Sequence, residues 1–114
     1  MKAHADKINE TFEVGSTNVF ADLEMPDAEE KLVKAALTFK INQIIKKKKL
    51  KQTQVAEILG ADQSKVSLLN RGRLSAFSIE RLVRYLNLLN QDVEIVIKSA
   101  RGRTRPGKFR VVYA

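Results

Sequence analysis

Apolar residues recur at helical spacing from Pro26 onward. Leu32, Ala35, Ala36, Phe39, Ile41, Ile44 and Ile45 follow intervals of three and four, which predicts a helix with this set turned inward. Pro26-Asp27 suits its first turn, and Asp27, Glu29 and Glu30 suit the positive end of its dipole. Its end falls in Lys46-Lys47-Lys48-Lys49, where cations meet the negative end. Two short helical patterns follow. Gln52 opens the first, Val55, Ala56 and Leu59 give its apolar face, and Gly60 ends it. Asp62 caps the second, with Val66 and Leu69 inward. Small Ala56 lets the two cross closely, and Gly60 accepts a positive φ. A last helix runs from a Ser78 cap through Ile79, Leu82, Val83, Leu86 and Leu89, and Asn90 can close it in a left-handed conformation.

The pattern then changes period. Asp92 to Lys98 alternates, with Val93, Ile95 and Ile97 on one face, and Phe109 to Tyr113 reads as a second strand. The basic stretch Arg101 to Lys108, with Gly102, Pro106 and Gly107, is the expected turn of a short C-terminal β-hairpin. An isolated hairpin is marginal in water, so it needs the helices or a second chain. Before Pro26 the chain is polar to residue 11 and then mixed. Phe12, Val14, Val19, Phe20 and Leu23 are too apolar for a free tail and are expected to lie against the domain or a partner. The organisation predicted is an N-terminal extension over 1–25, partly disordered, a helical domain over 26–91, and C-terminal strands over 92–114 suited to dimerisation.

Charge sharpens this division. The 114 residues carry a net charge of +8. Residues 1–30 hold eight of the 13 acids, whereas from Lys31 onward 19 bases face five acids. A basic body with an acidic start points to nucleic acid as partner of the body, because each neutralised phosphate releases counterions. Many small domains are basic, so charge by itself leaves the question open. The chain has no cysteine, so there is no disulfide frame and no thiolate metal site. No apolar run approaches the length of a membrane span, and MKAHADKINE lacks the apolar centre of a signal peptide, so a cytoplasmic location is expected.

Residues 50–72, LKQTQVAEILGADQSKVSLLNRG, decide the functional class. They resemble the helix-turn-helix of the Cro/C1-type (Xre) repressor family. Leu50, Gln52, Val55, Ala56 and Gly60 match its first half, and Gln63-Ser64, Val66-Ser67 and Arg71-Gly72 match its second. Lys51 stands where Thr or Ser is usual, and Asn70 where Glu is frequent. The resemblance covers about residues 31–90 and implies a mainly α, lambda-repressor-like bundle. A narrower likeness over 12–97 is to small Xre proteins paired with toxin genes, the HigA-type antitoxins.

The resemblance implies that the second motif helix enters a DNA major groove. Gln63 would then read adenine through N6 and N7. Ser64 and Ser67 would contact base or phosphate, and Leu68 either touches a thymine methyl or packs in the core. Lys65, Arg71 and Arg73 suit phosphates, which fix register without reading sequence. Gln52, at the start of the first motif helix, either holds a phosphate or serves as a local cap. The implied partners are double-stranded DNA with a palindromic operator, a second copy of the chain, and a cognate ribonuclease toxin. A plain Xre regulator without a toxin, and an interaction module that does not bind DNA, stay open. Catalysis has little support: His4 is the only histidine, and no nucleophile set, phosphate loop, metal spacing or cofactor motif occurs.

Overall fold

The computed structural model describes residues 25–99, 102 and 106–114. Four α-helices and a 3-10 turn follow one another: α1 Asp27–Lys47, α2 Gln52–Leu59, α3 Gln63–Asn70, the turn Leu74–Ala76, and α4 Ile79–Leu88. The expected N-terminal extension lies outside the described residues, except for Met25, which packs against the core.

One core holds the bundle together. Ile41, Leu69 and Leu82 are fully buried at its centre, with Val33, Val55 and Val66 close to that limit. Burying each such side chain contributes about 1.5–3 kcal/mol relative to exposure. Phe77 and Tyr85 complete the core as an edge-to-face pair with centroids 6.0 Å apart, two residues the apolar period alone does not mark.

The helix ends share one device. After each helix a residue takes a left-handed conformation: Lys49 at φ 55°, Gly60 at 65°, Gly72 at 70° and Asn90 at 67°. In each case the next N–H reaches five residues back, Leu50 to Ile45, Ala61 to Ala56, Arg73 to Leu68 and Gln91 to Leu86. Such bonds satisfy carbonyls that the helix leaves open. The Asn90 closure and the Ser78 cap are as the sequence predicts, with the Ser78 hydroxyl accepting from Arg81 N–H at 3.1 Å.

Two expectations fail. The first concerns the inward face of α1. Val33, Leu37 and Thr38 are buried there, whereas Leu32 and Phe39 are 71% and 60% exposed and Ala35 is exposed too. The inward set holds only from Ile41 onward. Apolar residues occupy two sides of α1, so a period of 3.6 fits either face. The second failure is the hairpin. No strand occurs among the described residues. Residues 93–99 are exposed, and the last residues instead run along α1. Phe109 N–H donates to Glu29 Oε2 at 2.9 Å, and Tyr113 Oη donates to the Ala36 carbonyl at 2.6 Å. Phe109 and Val111 pack against the core, and Lys40 Nζ sits 5.3 Å from the Tyr113 ring centroid. The alternating pattern of 109–113 is therefore met by a helix surface rather than by a neighbouring strand.

Candidate nucleic-acid interface

The compact helical pair begins at a cationic corner. Lys46, Lys47, Lys48, Lys49 and Lys51 are all exposed just before α2. Lysine carries no acceptor, so Lys51 cannot cap α2 with its side chain. The backbone answers instead: Lys51 N–H donates to Gln54 Oε1 at 2.7 Å. Gln54 thus does locally what Gln52 was expected to share. Gln52 is left exposed at the first position of α2, beside N–H groups that have no partner inside the helix.

Gly60 turns the chain into α3. Asp62 caps that helix, accepting from Lys65 N–H at 2.9 Å and from Ser64 Oγ at 2.7 Å. The Ser64 hydroxyl, followed by these backbone N–H groups, lowers the Asp62 carboxyl pKa below its ordinary 3.8. The cap is therefore ionised at neutral pH. It also commits the Ser64 proton, so Ser64 meets a ligand chiefly as an acceptor.

The faces of α3 differ sharply. Val66 and Leu69 point into the core, and Leu68 is half-buried against it, which favours packing over a base contact. Lys65 turns aside, its Nζ 5.6 Å from the Phe77 ring centroid. Gln63, Ser67 and Asn70 lie on one outward side at spacings of four and three, with Gln63 and Asn70 exposed and Ser67 half-exposed. Ser64 and Arg71 flank this side and are exposed. Arg73 follows the Gly72 turn and is exposed as well. The structure thus brings Gln63, Ser64, Ser67 and Arg71 together, and sets Lys65 and Leu68 off that side. It adds Asn70, which its spacing from Gln63 could have revealed.

Steep two-helix pairs with one free, polar, cation-flanked face occur in proteins that enter a DNA groove. A helix-turn-helix domain family matches residues 19–98. A solved structure named as an XRE family transcriptional regulator is 46% identical, with a TM-score of 0.73, over 78% of this chain and all of that one. The chain belongs to the XRE-type helix-turn-helix family. No curated protein matches it. In this XRE-type chain no helix among the described residues is long and apolar enough to cross a membrane. Nor do the described residues of the XRE-type chain hold a cluster of acids and histidines able to bind a metal.

Proposed function

We propose that the protein is a sequence-specific DNA-binding transcriptional repressor that binds a palindromic operator as a homodimer, and that it is an antitoxin repressing its own operon. The observation that carries the DNA reading is the outward side of α3. Gln63, Ser67 and Asn70 offer donors and acceptors there, while the core-facing side is wholly apolar. Gln63 pairs with adenine N6 and N7, and Ser67 and Asn70 meet neighbouring base edges. Arg71, Arg73, Lys65, Gln52 and the lysines before α2 hold phosphates. Membership of the XRE-type family, and the name of the 46% identical relative, support the same reading.

In a competition titration with the chain's own upstream DNA, Gln63→Ala costs about 1–3 kcal/mol at the operator and relaxes preference at one base pair. Arg73→Ala weakens all DNA alike and flattens the salt slope. Unchanged operator affinity in Gln63→Ala removes α3 from the groove.

One α3 reads only half a site, which favours a two-fold dimer. Val93, Ile95 and Ile97 are 37%, 56% and 91% exposed and supply an apolar surface for it. Ile97→Glu is expected to halve the sedimenting mass and abolish cooperative operator binding. A variant that stays dimeric refutes this interface.

The antitoxin reading rests on the contrast between the acidic, apolar segment 12–23 and the basic body. A ribonuclease toxin is basic because it binds RNA, and such a segment complements it. The relative's name speaks of a regulator alone, which favours a plain repressor as the second reading. A small basic reading frame beside the gene, whose product co-purifies with this chain, separates the two. Its absence leaves the plain repressor.

A further inference from the structure

A cleft of about 410 Å³ opens between the start of α3 and α4. Its volume lies within the roughly 300–1,000 Å³ of small-molecule sites. Phe77 and Tyr85, 5% and 4% exposed, form its floor. Exposed Ser78 and Arg81 edge it on the α4 side, and exposed Asp62 and Lys65 on the α3 side. Ser78, Arg81 and Tyr85 have no part in the DNA contacts proposed above.

The Tyr85 ring is held edge-to-face on Phe77, but its hydroxyl makes no hydrogen bond to a described residue. A tyrosine this buried ordinarily has a partner for its hydroxyl. Burial pushes the phenol pKa above its ordinary value, with Arg81 drawing it down and Asp62 adding to the rise. Both side chains act on the phenol, so its oxygen lies on their side, in the cleft. It keeps its proton at neutral pH and is a donor.

The other groups are mostly donors as well. Ser78 Oγ accepts from Arg81 N–H at 3.1 Å, which leaves its own proton to give. The Arg81 guanidinium forms no ion pair with a described residue, and neither does Lys65, whose Nζ lies 5.6 Å from the Phe77 ring centroid. Asp62 is the acid of the cleft. Its Oδ1 is already held by Ser64 Oγ and Lys65 N–H, and the two cations outnumber it.

We propose that this cleft binds a small phosphate monoester. Donors stand on three sides: the Tyr85 hydroxyl below, Ser78 and Arg81 on one rim, and Lys65 on the other. A tetrahedral group with three free oxygens meets all three, whereas a planar carboxylate has two. The planar Arg81 fork suits two of those oxygens at once. The cleft is larger than a phosphate alone requires, and Phe77, Ala61 and Ala76 give the rest of the molecule an apolar wall. The phosphate is that of a free small molecule rather than of the operator backbone, because the anchors sit on α4 and Lys65 is set off the Gln63, Ser67 and Asn70 side of α3.

The test uses the full chain without DNA, so it stands whether or not the DNA reading does. Phenyl phosphate is titrated into isotope-labelled protein in phosphate-free buffer, and amide signals are followed by NMR. Saturable shifts are expected at residues 62–65 and 77–82. Tyr85→Phe keeps the ring in the core and removes only the donor. It weakens binding about tenfold with the denaturation midpoint unchanged. Arg81→Gln, at an exposed position, weakens it by a similar factor. Shifts that stay linear with concentration, that centre on the lysines at 46–49, or that are equally strong in both variants overturn the proposal. Operator affinity of the two variants, measured without phenyl phosphate, is expected to match the parent. A fall in Arg81→Gln with a flatter salt slope assigns the cleft to the DNA backbone and overturns it too.

Discussion

The two junctions around α2 use the same hydrogen bonds and different residues. After α1, Lys49 N–H reaches the Lys46 carbonyl at 3.1 Å and Leu50 N–H reaches Ile45 at 3.1 Å. After α2, Gly60 N–H reaches Glu57 at 3.3 Å and Ala61 N–H reaches Ala56 at 3.0 Å. Both need a left-handed residue. Gly60 takes that conformation freely, whereas a lysine there costs about 1–2 kcal/mol. The entrances differ in the same sense. Asp62 caps α3 with its carboxylate, while Lys51 leaves α2 to the Gln54 back-bond. The first junction is thus the worse made of the two on both counts. What it keeps in exchange is positive charge, with exposed lysines at 46–49 and 51. Strained backbone clusters at functional sites, which agrees with the phosphate contacts proposed for these lysines.

Three substitutions probe that difference. Gly60→Ala has the largest effect. Nothing lies within 4 Å of the added Cβ, so only the φ of +65° is penalised, and the denaturation midpoint falls by the equivalent of about 1–2 kcal/mol. An unchanged midpoint would mean that the two junctions do not differ in strain. Lys49→Gly works in the opposite sense. It relieves the left-handed lysine but adds unfolded-state freedom, a net gain of roughly 0.5–1 kcal/mol. The same variant weakens DNA binding without changing sequence preference. A variant that is both more stable and equally tight on DNA breaks the proposed exchange of strain for charge. The smallest effect is the pH dependence of the second junction. The Asp62 carboxyl is lowered in the folded state, so its contribution is present above the unfolded value of 3.8 and is lost as pH falls through the lowered folded value. Acid titration of Asp62→Asn is therefore flatter below pH 3.8 than that of the parent.

Legibility in the sequence followed the one-sidedness of each element. In α4, buried Ile79, Leu82, Leu86 and Leu89 oppose exposed Arg81, Arg84 and Asn87, so one face was available and the reading of stripe, cap and closure stands. In α1 Val33 and Leu37 compete with Leu32 and Phe39, and only the tertiary partners decide which side is inside. The C-terminal alternation was visible, but its partner was not. A pattern of period two specifies a half-buried extended segment, and the surface that buries it lies 77 and 80 residues away on α1. At the candidate interface, the helix-turn-helix spacing was readable because turn chemistry is local. The set of the Lys65 side chain toward Phe77 was not, since it depends on a residue twelve positions later.

The contact of the last residues with α1 also orders events in time. Each helix forms from local contacts, and α1 then packs on α4, in a helical topology that assembles on microsecond to millisecond scales. Securing Phe109 to Glu29 closes a loop of 80 residues, an entropic cost met only once α1 has a surface to offer. Docking of the C-terminal segment therefore follows assembly of the helices. Its release breaks the bonds at Phe109 and Tyr113 and the packing around them while leaving the helices in place, short of global unfolding. The native protein is thus expected to open at two rates, a fast one for its final residues and a slow one for the helices of the bundle.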